Sequence, residues 1–335
     1  MHTPNVVKRF VNSVMKNSLK MVVGVLAPLL LITTVQSRVE NSTHYTIGTG
    51  SKGATFYPLV KALCARIEEK KYHFTCEAVS TPGSIYNVNA IENGEHALAL
   101  SQLPIQYLSF RGLKPFQTAH KRIATVAPLH QEVFILAINP SSKIRKFSDI
   151  KAKRVNIGNA GSGSRVIIEQ LFDYIGWSLS EFEIYSEKSA ELPRLLCNGT
   201  IDAAIYSTGH PNSIYKKMIE QCGVTLVDLW DANIEKFVAE NWQFSPATIQ
   251  SNSYPTIAVE KYGFGVQVVL SANNEMSSSH VYQIIQTIVE DKIILAKYAP
   301  IFGTINAKNY PLDNAAPYHN GAARYYQENT LSNDR

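Results

Sequence analysis

The chain reads as an α/β protein of two lobes joined by strands, with a ligand cleft between the lobes. Three observations predict this class. A strand–helix rhythm starts at Tyr45 and runs through the sequence. A unit of helix, Asn-Gly, small-residue apolar strand and Ser occurs twice, at Asn93-Gly94 and at Asn198-Gly199. Two long apolar stretches, 126–138 and 262–271, each run into a turn signal, Asn139-Pro140-Ser141-Ser142 and Ala272-Asn273-Asn274. Strands there would carry the chain from one lobe to the other and back.

The elements follow in order. Tyr45-Thr46-Ile47-Gly48 is a short strand, and the loop Thr49 to Thr55 leads into a helix over 56–70. Tyr57, Val60, Leu63, Cys64 and Ile67 share one helical face, and Pro58 suits the first turn. Residues 74–79 are strand-like. The polar loop Ser80-Thr81-Pro82-Gly83-Ser84 precedes a helix marked by Ile85, Val88 and Ile91 that stops at Asn93-Gly94. Residues 97–101 form an apolar strand. In the second lobe, 154–158 is a strand, 159–164 (Asn-Ala-Gly-Ser-Gly-Ser) a loop, and 166–175 a helix ending at Gly176. A helix over 191–197 and a strand over 203–207 complete the repeated unit. Residues 281–298 read as one helix. The tail, rich in Tyr, Pro, Asn and Ala, has weak periodicity and is expected to pack along the first lobe. Lobe 1 is then 38–128 with 262–335, and lobe 2 is 129–261.

The three loops 49–55, 80–84 and 159–164 carry the chemical information. Each follows a strand and precedes a helix, whose first N–H groups lack intrahelical partners and favour negative charge. Gly permits close approach, and Ser or Thr adds hydroxyl donors. A single such loop is commonly only a cap. Three of them at strand ends in two lobes describe a pincer for an anion such as a carboxylate.

Two enzyme-like patterns fail on their context. Gly48-x-Gly50-x-x-Gly53 matches a dinucleotide fingerprint, but Glu68 and Glu69 sit at a helix end rather than at a second strand end. Ser164, His210 and Asp202 can be written as a hydrolase triad, yet Gly161-Ser162-Gly163-Ser164 has the wrong frame for a nucleophile elbow. The nine histidines show no metal-ligand spacing, so neither a metal nor a cofactor is expected. The reading is a binding protein rather than an enzyme.

Charge and cysteines address location. Residues 1–37 hold Lys8, Arg9, Lys16 and Lys20 and no acid, ahead of and around an uncharged apolar run from Met21. This pattern describes a secretory signal cut after Ser37, with Met15 as a second candidate start. The competing reading is a membrane anchor, which Pro28 and the shortness of the apolar run oppose. The remainder carries 28 basic against 27 acidic residues, so no electrostatic case for nucleic acid exists. Four cysteines fall in two local groups, and pairing Cys64–Cys76 and Cys197–Cys222 is the simplest connectivity for an exported chain; four reduced thiols are the alternative.

The loops also carry a family resemblance. IGTGSKGATFYP at 47–58, STPGSIYNVNAIENGE at 80–95, LSQ at 100–102, NPSSKIRKFSDIKAKRVNIGNAGSGSR at 139–165, NGTIDAAIYSTGHPN at 198–212 and PYHNGAARYYQE at 317–328 stand in a specific order and spacing. The chain resembles the TAXI group of substrate-binding receptors of TRAP (tripartite ATP-independent periplasmic) transporters, over nearly all of its length after residue 37. The resemblance implies a type II periplasmic binding protein fold that closes on its solute. It implies a periplasmic location and delivery to integral membrane TRAP permease subunits driven by an ion gradient. The implied ligand is a small organic acid, a glutamate-like or 2-oxoglutarate-like dicarboxylate. Carried over by motif, the contacts are Gly50, Ser51, Thr55 and Tyr57, then Ser80, Thr81, Gly83, Ser84 and Gln102. The other lobe offers Asn159, Ser162, Gly163, Ser164, Tyr206 and His210, while Pro317-Tyr318-His319 is structural. Two positions depart from the family pattern. Leu103-Pro104 stands where an acidic residue is usual, and Ala160 where Thr or Pro is common. Lys52 and Arg165 are candidate counter-ions. A periplasmic sensor that presents a bound solute to a signalling partner is the alternative function.

Overall fold

The structure, a computed structural model, describes residues 42–255, 257–305 and 316–330. The signal-segment reading at 1–37 lies outside them. Ten strands among the described residues form one sheet. Strands β1 (Thr43–Gly48), β2 (Phe74–Val79) and β3 (Leu98–Gln102) form the parallel end of one half. Helix α1 (Phe56–Glu69) follows β1, α2 (Ser84–Asn93) follows β2, and α3 (Leu103–Arg111) follows β3 directly. The other half holds β5 (Arg154–Asn156), β6 (Glu183–Tyr185) and β7 (Ala203–Thr208), again parallel, with α4 (Gly163–Tyr174) after β5.

Two long antiparallel strands join the halves: β4 (Ile123–Ile138) and β10 (Lys261–Asn273). β3 pairs with the C-terminal part of β10, whereas β7 pairs with the C-terminal part of β4. The chain therefore crosses once on each strand. The sheet order β2-β1-β3-β10-β4-β7-β5-β6 places this pair at the centre. Pairing shifts register between Gln267 and Val269 and between Leu270 and Ser271, near the middle of β10 and close to Pro128 on β4. Pro lacks the N–H that a continuous ladder requires there.

Each half has its own apolar packing. Leu59, Val60, Leu63 and Ile67 of α1 pack with Val281, Ile284, Ile285 and Ile288 of α8 (Ser278–Glu290). Across the molecule, Leu192, Leu195 and Leu196 of α5 (Leu192–Cys197) pack with Ile214, Tyr215, Met218 and Ile219 of α6 (Ser213–Cys222). Both cysteine pairs expected from local spacing are bonded. Cys64–Cys76 ties α1 to β2, and Cys197–Cys222 ties α5 to α6.

Two segments differ from expectation. The helix over 281–298 is two helices, α8 and α9 (Lys292–Tyr298), separated at Asp291, whose carboxylate pairs with Arg66 at 3.0 Å and Lys70 at 2.8 Å. The tail of weak periodicity contains α10 (Asn320–Thr330), which packs on α8. The Pro317-Tyr318-His319 motif clips to β4, where Thr125 N donates to Pro317 O and His319 N donates to Thr125 O. Finally, Leu103-Pro104 opens α3, with Pro in the first turn where its missing N–H costs no bond.

Candidate functional site

The three Gly/Ser loops meet where the two halves of the sheet face one another. They enclose a cavity of about 60 Å³. Gly50 and Ser51 come from the first loop, Gly83 and Ser84 from the second, and Asn159, Ser162, Gly163 and Ser164 from the third. Gln102 from the end of β3 and Tyr206 from β7 also line it. The N-termini of α1, α2 and α4 thus converge on one space, and their dipoles favour negative charge in it.

The loops touch directly across the cleft. Ile85 N donates to Gly161 O at 3.1 Å, and Asn159 Nδ2 donates to Pro82 O at 3.0 Å. The first turn of α2 therefore gives an amide to the opposite loop. Glycine makes this approach possible. A Cβ on Gly163 would lie 2.3 Å from Gln102 Oε1 and 2.9 Å from Ser84 Cβ, and Gly83 (φ +126) and Gly161 (φ +82) hold left-handed backbone at the contact.

Five expected contact residues stand elsewhere, each with another partner. Thr55 Oγ1 bonds Thr208 Oγ1 at 2.7 Å and accepts from Gly209 N, which joins the two halves beside the cavity. Ser80 donates to Gly50 O and so braces the first loop. Thr81 Oγ1 lies 2.8 Å from Thr49 O and 2.7 Å from Asn87 Oδ1. Tyr57 lies beside Lys52, whose ammonium is 5.9 Å from the ring centroid. His210 Nδ1 is 2.6 Å from the Tyr254 hydroxyl, on the wall of a separate cavity of about 220 Å³. Lys52 and Arg165 do not reach the first cavity. Arg165 is taken by Glu169 at 2.7 Å and by Ser186. The lining contains no Lys or Arg among the described residues.

The sequence reading missed the most informative lining residue, Glu132. It belongs to the crossing strand β4, within an apolar run, and is buried. Gln102 Nε2 donates to its Oε2 at 2.7 Å and Ser207 Oγ donates to the same oxygen at 3.1 Å. Ser207 Oγ is also 2.8 Å from Ser164 Oγ, at the start of α4. Burial pushes the Glu132 carboxyl up to about 7, and the two hydrogen bonds offset only part of that rise. Pro82, Ser189 and Ser207 complete the polar edge, with Ala54 and Phe56 at the start of α1. A charged residue inside an otherwise apolar strand is the one signal that pointed to Glu132, since acids are rarely buried without a role.

The residues of the paper triad are apart in their bonding. Ser164 bonds Ser207, Asp202 pairs with Arg154 at 2.7 Å, and His210 bonds Tyr254. Among the described residues these three share no hydrogen bond with one another, and no group of His, Cys, Asp and Glu has the arrangement of a metal site.

A solved structure from Bordetella bronchiseptica RB50 matches 87% of this chain and 99% of its own, with TM-score 0.56 at 11% identity. The periplasmic aliphatic sulphonate binding protein SsuA of Escherichia coli is similar over 87% of this chain and 92% of its own, at 14% identity and TM-score 0.44. The alkanesulfonate-binding protein SsuA from Xanthomonas axonopodis pv. citri, bound to MOPS, is similar over 85% and 83%, at 12% identity and TM-score 0.45. The likeness is one of fold, an α/β architecture of two lobes joined by strands with a cleft between them. Residues 47–329 match the model of the NMT1-like family, and the chain belongs to that family.

Proposed function

We propose that this protein is a periplasmic solute-binding receptor of a TRAP-type secondary transporter. It captures a small organic acid, glutamate-like or 2-oxoglutarate-like, and delivers it to membrane permease subunits. The observation that carries the reading is the convergence of three helix N-termini, with their Gly and Ser loops, on one cavity between two strand-linked lobes. Such a site holds a carboxylate through backbone N–H groups and hydroxyls without a cationic side chain. The ligand set is Gly50, Ser51, Gly83, Ser84, Gln102, Asn159, Ser162, Gly163, Ser164 and Tyr206, with Thr55, Ser80 and Thr81 bracing the loops and Tyr57 and His210 outside the lining. The lobes divide near residues 128 and 262, so that β4 and β10 act as the hinge. The protein performs no chemistry on its solute; closure of the lobes is its output.

The TRAP assignment rests on the motif set at 47–58, 80–95, 139–165 and 198–212. It is tested by native mass spectrometry of the exported protein, followed by calorimetry with C4–C6 dicarboxylates and acidic amino acids. One acid retained or bound with a single site is the expected result. No retained acid and no heat with any acid would remove the carboxylate reading. Uptake into vesicles holding the cognate permease, driven by an imposed ion gradient and not by ATP, tests the transporter class.

A further inference from the structure

The cavity holds a fixed acid and no fixed base. Glu132 is the one ionisable acid or base among its lining residues, apart from the Tyr206 phenol, whose titration burial moves far upward. Both hydrogen bonds to Glu132 fall on Oε2, and none among the described residues ends on Oε1. The neighbouring side-chain oxygen of Gln102, Oε1, is buried and also has no hydrogen-bond partner there. A buried oxygen without a donor, Gln102 Oε1, and a carboxylate oxygen that accepts no hydrogen bond among the described residues, Glu132 Oε1, therefore belong to two side chains bonded to each other, in a space where helix ends otherwise favour anions. Buried acceptors in native proteins are normally satisfied, and an unsatisfied one inside a binding cavity points to a donor brought by the ligand.

We propose that Glu132 and Gln102 Oε1 form an ammonium subsite, so that the solute is an α-amino acid and not the corresponding oxo acid. The inference rests on the receptor reading above and narrows its ligand class. A dianion would bring two more negative charges to a cavity that already has one and lacks any cationic side chain. An amino acid brings its own cation. Its N–H groups satisfy Glu132 and Gln102, and its carboxylate takes the α4 N-terminus at Gly163 and Ser164. Glu132 and Ser164 are linked through Ser207 by hydrogen bonds of 3.1 and 2.8 Å, so the subsites are near neighbours as the two groups on one α-carbon are.

The test compares matched pairs on the exported protein freed of solute: L-glutamate with 2-oxoglutarate, L-aspartate with oxaloacetate, and L-leucine with its oxo acid. Calorimetry at pH 8 reads both wild type and Glu132→Gln, with a thermal melt to confirm that the variant is folded. The tightest wild-type ligand is expected to be an amino acid, at least about 30-fold tighter than its oxo acid. Glu132→Gln should lose about that factor for the amino acid and, with the repelling charge gone, bind the oxo acid as tightly as wild type or more tightly. A merely structural role for Glu132 would weaken both members of a pair alike, and that result overturns the inference. So does a wild-type preference for the oxo acid, which leaves the acid-receptor reading standing. Absence of binding by every acid in the panel overturns both. The wild-type comparison decides the matter even if the variant does not fold.

Discussion

Glu132→Gln should stabilise the ligand-free protein, and by an amount that depends on pH. The carboxyl is buried and held up to about 7, against an ordinary value of 4.5. A raised carboxyl means that the folded state resists ionisation. The unfolded chain loses its proton near 4.5, while the folded one keeps it until about 7. Stability therefore falls as pH rises through that window and levels off above it. About 2.5 units at about 1.4 kcal/mol each give a penalty of about 3 kcal/mol at pH 8. Gln is close in shape and keeps an oxygen to accept from Gln102 Nε2 and Ser207, so the substitution removes the charge and little else. The variant should thus be about 3 kcal/mol more stable at pH 8, equal to about 5 °C in melting midpoint for a chain of this size. At pH 5 the gain should shrink to about 1 kcal/mol, because the wild-type residue is then protonated when folded. Urea titrations of both proteins from pH 5 to 8, without solute, measure the difference directly. A gain that does not vary with pH, or a variant less stable at pH 8, would refute the argument that burial dominates at this residue.

Other predictions follow from single features. Gly163→Ala places a Cβ against Gln102, Ile105 and Ser84, so closure is blocked and affinity should fall about 10- to 100-fold; calorimetry finding no loss would mean the lobes do not need this approach. Reducing both disulfides removes constraints on loops of 12 and 25 residues, worth about 3 kcal/mol each, and the urea midpoint should drop accordingly in reductant. His130 and His210 are buried, and that burial pushes each down to about 3. The unfolded chain takes up those protons below about 6.5 and the folded chain does not, so each should cost about 1.4 kcal/mol per pH unit of acidification below that point. His130→Gln should flatten the acid limb of a pH–stability profile, and an unchanged limb would reject the assignment.

Much of the site was legible because its parts are local. A strand, a Gly/Ser loop and a helix leave a mark in consecutive residues, and 49–55, 80–84 and 159–164 all show it. The need for glycine at 83, 161 and 163 was visible, but its cause was not, because the atoms that crowd Gly163 come from residues 84, 102 and 105. The division of 281–298 was hidden for a similar reason. Its apolar period is nearly continuous, and Asp291 at the break is paired with Arg66 on α1 and Lys70 just past its end, both remote in sequence. Glu132 is the clearest case. Residues 126–138 are apolar except for His130, Gln131 and Glu132, which marks a crossing strand, and only the meeting with Gln102 of β3 and Ser207 of β7 shows what the carboxylate faces.

That meeting also suggests how binding and closure are coupled. Gln102 belongs to the β1–β3 half, Ser207 to the β5–β7 half, and Glu132 to a strand that joins them. Bringing the halves together buries Glu132 and leaves Gln102 Oε1 without a donor, which opposes closure of the empty protein. The same motion makes the bonds from Ile85 to Gly161 and from Asn159 to Pro82, which favour it. On the proposed reading, an ammonium between Glu132 and Gln102 removes the opposing term and leaves the favourable one, and a carboxylate at the α4 N-terminus adds to it. The ligand then shifts the equilibrium by its different affinity for the two states, which is the only way a ligand can. It follows that Glu132→Gln should close more readily when empty and respond less to solute. Small-angle scattering of both proteins, with and without the tightest acid, should show a smaller change of radius in the variant. An equal change in both would separate Glu132 from the closing motion.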